Sequence, residues 1–295
     1  MTMMQPNLIP NVVFRMKARA ALKPMMPVVI LCALIANLPS LAAQTVGILT
    51  GSDPMNYLLS QASTDAELMA LLSSNEAIFA AFEGFLAPDR LASVALYAVS
   101  FLVSPVLVLG LTNALLQLLR GHEIEVTTVF SRVKIFFKSI LLNLLTTVKI
   151  LLWSIPGGVI MVGGSVLAIL TQQTWLMTLY FVGLVLMMVH MIRAMLHYSL
   201  ATICLADDPS TGVFAALKKS IAMMRHRKMA LLSLTLSVYI WLFAASLLEG
   251  LIGSLFGAVI GATVYMALQL IISVYLNTCH CAFYEAYRQI PYSGA

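Results

Sequence analysis

The chain has 295 residues, 61% of them hydrophobic and 10% charged, with a formal net charge of +5. Soluble domains run at roughly 45 to 50% apolar and about 25% charged residues, and one bilayer span takes roughly 20 apolar residues. The composition therefore excludes a soluble globular domain and a disordered chain, and it supplies enough apolar sequence for several spans.

Residues 1–24 mix Val12, Val13 and Phe14 with Arg15, Lys17, Arg19 and Lys23, an amphipathic segment ahead of the first span at 25–46. A cleaved signal peptide is the rival reading, from the apolar stretch Met25 to Asn37 and the small residues Ser40 and Ala42. The long basic lead and the apolar character continuing to Leu49 favour a span. Residues 47–90 form an acidic loop with Asp53, Asp65, Glu67, Glu76, Glu83 and Asp89. Within it Thr64-Asp65-Ala66-Glu67 is a capping box opening a surface helix with an apolar stripe through Leu68, Leu72, Phe82 and Leu86.

Further spans follow at 91–119, 144–168, 175–202, 229–248 and 256–281, giving an all-α bundle of six. The apolar stretch from Ser139 to Thr171 exceeds one perpendicular span, so its first turns lie at the interface or the helix tilts. Pro39, Pro105 and Pro156 fall inside or beside spans and are expected to kink helices rather than end them.

Charge sets the direction. Fourteen of the 17 cations lie before span one, between spans two and three, between four and five, and after six, whereas Arg90 alone faces the other side. The positive-inside rule puts both termini in the cytoplasm and 47–90 outside. Because the cations follow topology, the basic pI of about 9.1 does not point to nucleic acid. Cys32, Cys204, Cys279 and Cys281 read as reduced thiols.

A short amphipathic segment precedes each odd-numbered span: Val12-Val13-Phe14 up to Lys17, Val129-Phe130 up to Lys134, and Val213-Phe214 up to Lys218. Interfacial helix, span out and span in would then be used three times as parallel repeats. Helical spacing puts Val126, Val129, Phe130, Val133 and Phe137 on one face, and Val213, Phe214, Leu217, Ile221 and Met224 on another. The third segment, within 204–228, carries Lys218, Lys219, Arg225, Arg227 and Lys228, which suits a helix lying on anionic headgroups.

A family resemblance rests on His197-Tyr198-Ser199-Leu200-Ala201, Leu205-Ala206-Asp207-Asp208-Pro209, Ala216-Leu217-Lys218-Lys219-Ser220, Met223-Met224, Lys228, Leu236-Ser237 and Trp241. Together with Trp153, Pro156-Gly157 and Ala282-Phe283-Tyr284-Glu285, these resemble the uncharacterised bacterial integral-membrane family called domain of unknown function 975. The likeness is good over 129–288 and only in outline before that. It implies a bacterial cytoplasmic membrane protein and no established activity. In typical members the tyrosine-serine segment follows soon after the proline-glycine pair, whereas residues 159 to 196 intervene in this chain.

Few polar residues offer chemistry. His190, Arg193 and His197 share a face of span four, with Lys149 at similar depth on span three. They would hold an anionic ligand or lipid headgroup in a cavity, or else snorkel to the interface. Asp208 is placed to cap a helix beginning at Pro209. Cys279-His280-Cys281 cannot close on one zinc, since residues two apart on a helix point about 200 degrees apart. Gly253, Gly257 and Gly261 form a tandem small-residue motif for close packing against span five or a second protomer. No acid–base pair, nucleophile motif or phosphate loop is present. The sequence thus points to a non-enzymatic scaffold or envelope-accessory protein without a cofactor, in contact with anionic lipids and with a membrane-protein partner or another copy of itself. The alternative is a small transporter or lipid-handling protein with a basic cavity at Lys149, His190, Arg193 and His197.

Overall fold

A computed structural model describes residues 9–50 and 91–288. The acids from Asp53 to Asp89, Arg90 and the expected surface helix lie outside the described residues. The rest is helical throughout: α1 (Asn11–Thr50), α2 (Leu91–Leu119), a 3-10 helix (Val126–Ile135), α3 (Phe136–Thr171), a short 3-10 turn (Thr174–Leu176), α4 (Met177–Tyr198), α5 (Ala201–Asp207), α6 (Val213–Met224), α7 (Lys228–Phe256) and α8 (Ala258–Tyr287). Six of these stretches are long and apolar enough to cross a bilayer, so the chain is a multi-pass membrane protein.

The helices pair as three hairpins, α1 with α2, α3 with α4 and α7 with α8. Glycine sets the closeness of the second. A Cβ on Gly157 would sit 2.3 Å from the Met187 nitrogen, and one on Gly183 would sit 2.3 Å from the Met161 nitrogen, so α3 and α4 touch backbone to backbone. Pro105 and Pro156 are absorbed inside α2 and α3. The break comes in α1 at Met25 (φ −119, ψ 21), between Pro24 and Pro27. Pro27 has no N–H for the carbonyl of Lys23, four residues back, which frees the turn to bend there.

Helix lengths locate the membrane. At 1.5 Å per residue, a hydrocarbon core of about 30 Å takes about 20 residues, but α3 has 36, α7 has 29 and α8 has 30. The surplus gathers at the end where the cations are. There Phe14, Ala18, Leu115, Leu116, Leu200, Cys204, Leu205, Leu217, Met224, Cys281, Phe283 and Tyr284 form a closed core. At the other end Leu170, Phe181, Phe243 and Leu255 are 75%, 61%, 65% and 67% exposed, as side chains solvated by lipid are. The protein is an open bundle in the bilayer with a packed cap beyond its basic end.

The segments leading into the hairpins are present but not alike. The first is the initial part of α1, and it buries Phe14, Ala18 and Leu22 against α8. The second is a 3-10 helix, whose three-residue period aligns Val126, Val129, Arg132 and Ile135 and leaves Phe130 and Phe137 exposed. The third, α6, buries Val213, Ala216, Leu217, Ser220, Met223 and Met224 against α5, α4 and α3. The Val-Phe pair has no constant role: Phe14 is buried, whereas Phe130 and Phe214 are exposed. The apolar face expected to anchor the third segment in lipid is therefore taken up by the bundle, and only Phe214 points away from it.

Candidate functional site

The cap is held by a charged latch where three helix ends meet. Arg120, following α2, donates from Nη2 to Asp207 Oδ1 at 2.6 Å, and from Nε to Glu285 Oε1 at 2.7 Å with a second, shorter contact from Nη2. Arg288 lies 3.3 Å from Asp207 Oδ2 and 3.2 Å from Glu285 Oε1. The Tyr284 hydroxyl donates to Asp207 Oδ2 at 2.9 Å, and Lys219 of α6 reaches that hydroxyl at 3.4 Å. Asp207, 13% exposed, thus receives two guanidinium groups and a phenol. Burial alone would lower the affinity of Arg120 for its proton, but the hydrogen bonds and charges of Asp207 and Glu285 hold its pKa above the ordinary value.

Aromatic packing continues inward from the latch. Phe14 sits 5.2 Å from Phe283 and 6.1 Å from Tyr287, Arg227 covers the Tyr287 ring at 4.3 Å, and the Ile9 amide donates to the Tyr287 hydroxyl. The residues that carried the family resemblance at the carboxyl terminus and at Leu205-Ala206-Asp207 therefore come together, although Asp207 and Tyr284 are 77 positions apart.

Three of the four candidate ligand-binding residues, His190, Arg193 and His197, converge around Trp153. Its ring centroid lies 6.3 Å from that of His190 and 6.2 Å from that of His197, and the Arg193 guanidinium carbon is 5.8 Å from its centre. Lys149 stands 5.5 Å from the centre of the Tyr198 ring. Lys228 donates to Nε2 of His197 at 2.6 Å, and the His197 carbonyl accepts from Ser220. His190 uses Nδ1 on the Leu186 carbonyl at 2.8 Å. The cluster joins α3, α4, α6 and α7 at the depth where lengths place the headgroups, and its cations rest on aromatic faces.

The clefts that reach into the spans have other linings. One of about 340 Å³ is walled by hydroxyls and an amide, including Ser40, Ser100, Ser104, Asn143 and Thr146. Another of about 540 Å³ lies between α1, α7 and α8 and includes Arg19 and Lys23. Neither is lined by Lys149, His190, Arg193 or His197.

Asp208 does not begin a helix. The helix after it starts at Val213 with Gly212 as its N-cap, because Asp208 spends its carboxylate on the intervening turn. It accepts from the Ser210 amide at 3.0 Å, the Ser210 hydroxyl at 2.5 Å and the Thr211 hydroxyl at 2.8 Å. Those hydrogen bonds hold its pKa down to about 2. Lys138 donates to the Pro209 carbonyl and ties the turn to α3.

Of the basic residues around α6, Lys218 and Lys219 are exposed on the helix, Arg225 is exposed just after it, and Arg227 and Lys228 are engaged with Tyr287 and His197. The tandem glycines straddle a turn rather than opening one helix. Gly257, at φ +99, is the α7–α8 corner itself, and a Cβ on Gly261 would meet Gly253 at 2.9 Å. The packing partner of Gly261 is thus the preceding span, one of the two expected. The four cysteines are free and buried, and His280 pairs with the Thr235 hydroxyl at 2.9 Å.

Two features escaped sequence reasoning. The latch joins Arg120 and Arg288, which read singly as topology signals, to Asp207 and Glu285, which stood only among the residues of the family resemblance. Gly110, in mid-span, lies where a Cβ would come 1.7 Å from the Val129 carbonyl oxygen, so the 3-10 helix crosses α2 with no room for a side chain. Its one signal was a glycine inside an otherwise bulky apolar run.

No curated protein and no solved structure matches the chain. The family described as Protein of unknown function (DUF975) matches residues 25–290, which extends the likeness from the carboxyl-terminal half through the first span and across the intervening 159–196. The chain belongs to that family.

Proposed function

We propose that this is a non-enzymatic scaffold or envelope-accessory protein of the bacterial cytoplasmic membrane, with both termini and the packed cap in the cytoplasm. The observation that carries this reading is the latch. Two acids of the cap, Asp207 and Glu285, are bonded to Arg120, Arg288 and Tyr284 across α2, α5 and α8, an arrangement that fixes shape. The histidines at the bilayer depth are likewise committed, to Trp153, Lys228 and Thr235. What the cap leaves exposed is a basic face at Lys218, Lys219 and Arg225 beside Phe214, suited to an acidic protein partner.

The test is photocrosslinking in cells from positions 214 and 218, with native mass spectrometry of the protein extracted in polymer-bounded lipid discs. The reading expects one protein, or a second copy, in stoichiometric yield, lost in Lys218→Glu/Arg225→Glu. Extraction without a protein partner, together with protein-dependent solute flux in proteoliposomes, would replace it with the transporter reading.

A further inference from the structure

The groove between α1, α7 and α8 joins a cationic end to an apolar channel. At one end are Arg19 and Lys23, four residues apart and so on one face of α1. Along its length run Met26, Val238, Trp241, Ile271 and Ile272. The bend at Met25 falls between Lys23 and Met26, so the half of α1 before it supplies both cations together with Leu22, and the half after it supplies Met26. Among the described residues neither Arg19 nor Lys23 has a carboxylate within ion-pair distance, unlike Arg120 and Arg288 in the latch.

We propose that this groove is a binding site for one acidic phospholipid, its phosphate held by Arg19 and Lys23 and an acyl chain laid along Met26, Ile272 and Trp241. The depth fits. Tyr275 of α8, with Arg19 5.9 Å from its ring centre, lies about 17 residues from the far end of a helix that needs about 20 to cross the hydrocarbon. Tyr275 is thus about three residues inside the boundary, within reach of a headgroup phosphate for the long Arg19 side chain, and Ile272 lies about six residues inside it, among the acyl chains. The cavity of about 540 Å³ takes a headgroup and part of one chain, the remainder continuing into bulk lipid. Two unpaired cations select net negative charge over a zwitterion, and the face of Tyr275 that could receive a choline is occupied by Arg19. The site is independent of the scaffold reading, since it is lined by α1, α7 and α8 and not by α6, which carries Phe214 and Lys218.

The experiment is native mass spectrometry of the full chain, delipidated in detergent and titrated with phosphatidylglycerol or phosphatidylcholine, alongside melting-temperature shifts with each lipid. Expected is a single tight phosphatidylglycerol adduct, weakened at least tenfold in Arg19→Gln/Lys23→Gln and unchanged in Lys218→Gln/Arg225→Gln. Ile272→Trp, which fills the groove and keeps both cations, should lose the adduct as well, so the proposal stays testable if the double variant does not fold. Equal retention of both lipids, an unaltered adduct in either groove variant, or an equal loss in the Lys218/Arg225 variant would overturn it.

Discussion

The Tyr284 hydroxyl donates to Asp207 at 2.9 Å, from a tyrosine with no exposed surface, and thereby fastens the last helix to the turn that follows span four. The same carboxylate holds Arg120 and Arg288. Removing Asp207 leaves two guanidinium groups facing Glu285 alone. Loss of one partner from a buried pair costs about 3 to 5 kcal/mol. The arginines are about a third exposed and partly screened, so about 2 to 3 kcal/mol is expected for Asp207→Ala. Detergent-solubilised thermal unfolding should rank Asp207→Ala below Tyr284→Phe, and the double variant should fall short of the sum by about 1 kcal/mol. Strict additivity would mean that the hydrogen bond contributes nothing.

Glycines in the spans divide by what surrounds them. Gly110→Ala puts a methyl 1.7 Å from the Val129 oxygen, and the 3-10 helix must move. A loss of about 3 kcal/mol or failure to accumulate is expected, at the upper end for overpacking. Gly158 has open space where a Cβ would go, so Gly158→Ala should leave stability unchanged or raise it by up to about 1 kcal/mol through helix propensity. Equal behaviour of the two variants in a fluorescence-detected melting assay would contradict the close crossing.

The spans were legible because 20 apolar residues in lipid need no partner to be recognised. Lys228–Phe256 and Leu91–Leu119 arise wherever charge stops and Gly or a basic loop begins. The cap was not legible. Arg120 lies 87 and 165 positions from the carboxylates it holds, and no local period encodes such distances. The second amphipathic segment was read with an α period, but its neighbours on α2, Gly110 and Asn113, allow a 3-10 helix with Arg132 bonded inward to Asn113. The period of α6 was right in marking Val213 and Leu217 as one face, but a face does not name what covers it.

Orientation is testable with thiols, since the four native cysteines are buried and give little background. Ser210→Cys lies in the cap turn and should be protected from a membrane-impermeant maleimide in intact cells, becoming reactive on lysis. Ser63→Cys and Ser74→Cys, in the acidic segment, should react without lysis. The reverse pattern would put the basic end outside, against the positive-inside rule.

The Asp208 turn makes an acid-side prediction. Its pKa in the folded protein, about 2, lies below the ordinary carboxylate value of 3.8. A depressed folded pKa means the group's contribution is complete above the unfolded value and is lost as pH falls toward 2. Asp208→Asn should therefore flatten the stability profile between about pH 4 and pH 2 relative to the parent chain, with no change from pH 5 to 8. A difference confined to the neutral range would show that the turn does not depend on the ionised carboxylate.

The sixth helix separates two uses of an amphipathic face. If α6 were anchored in lipid, Phe214 and Leu217 would contribute comparably, because both lie on the face first read as apolar. In the bundle they differ: Leu217 is 1% exposed and packed in the cap core, and Phe214 is 61% exposed. Leu217→Ala leaves a cavity and should cost about 3 kcal/mol, whereas Phe214→Ala should stay within about 0.5 kcal/mol. Raising salt from 0.05 to 0.5 M should not release α6, because apolar contacts rather than headgroup charge hold it. Protection of the α6 amides in hydrogen exchange checks this directly. It should persist in neutral-lipid discs and at high salt, and fall in Leu217→Ala but not in Phe214→Ala. Protection that instead requires acidic lipid would return α6 to the membrane surface.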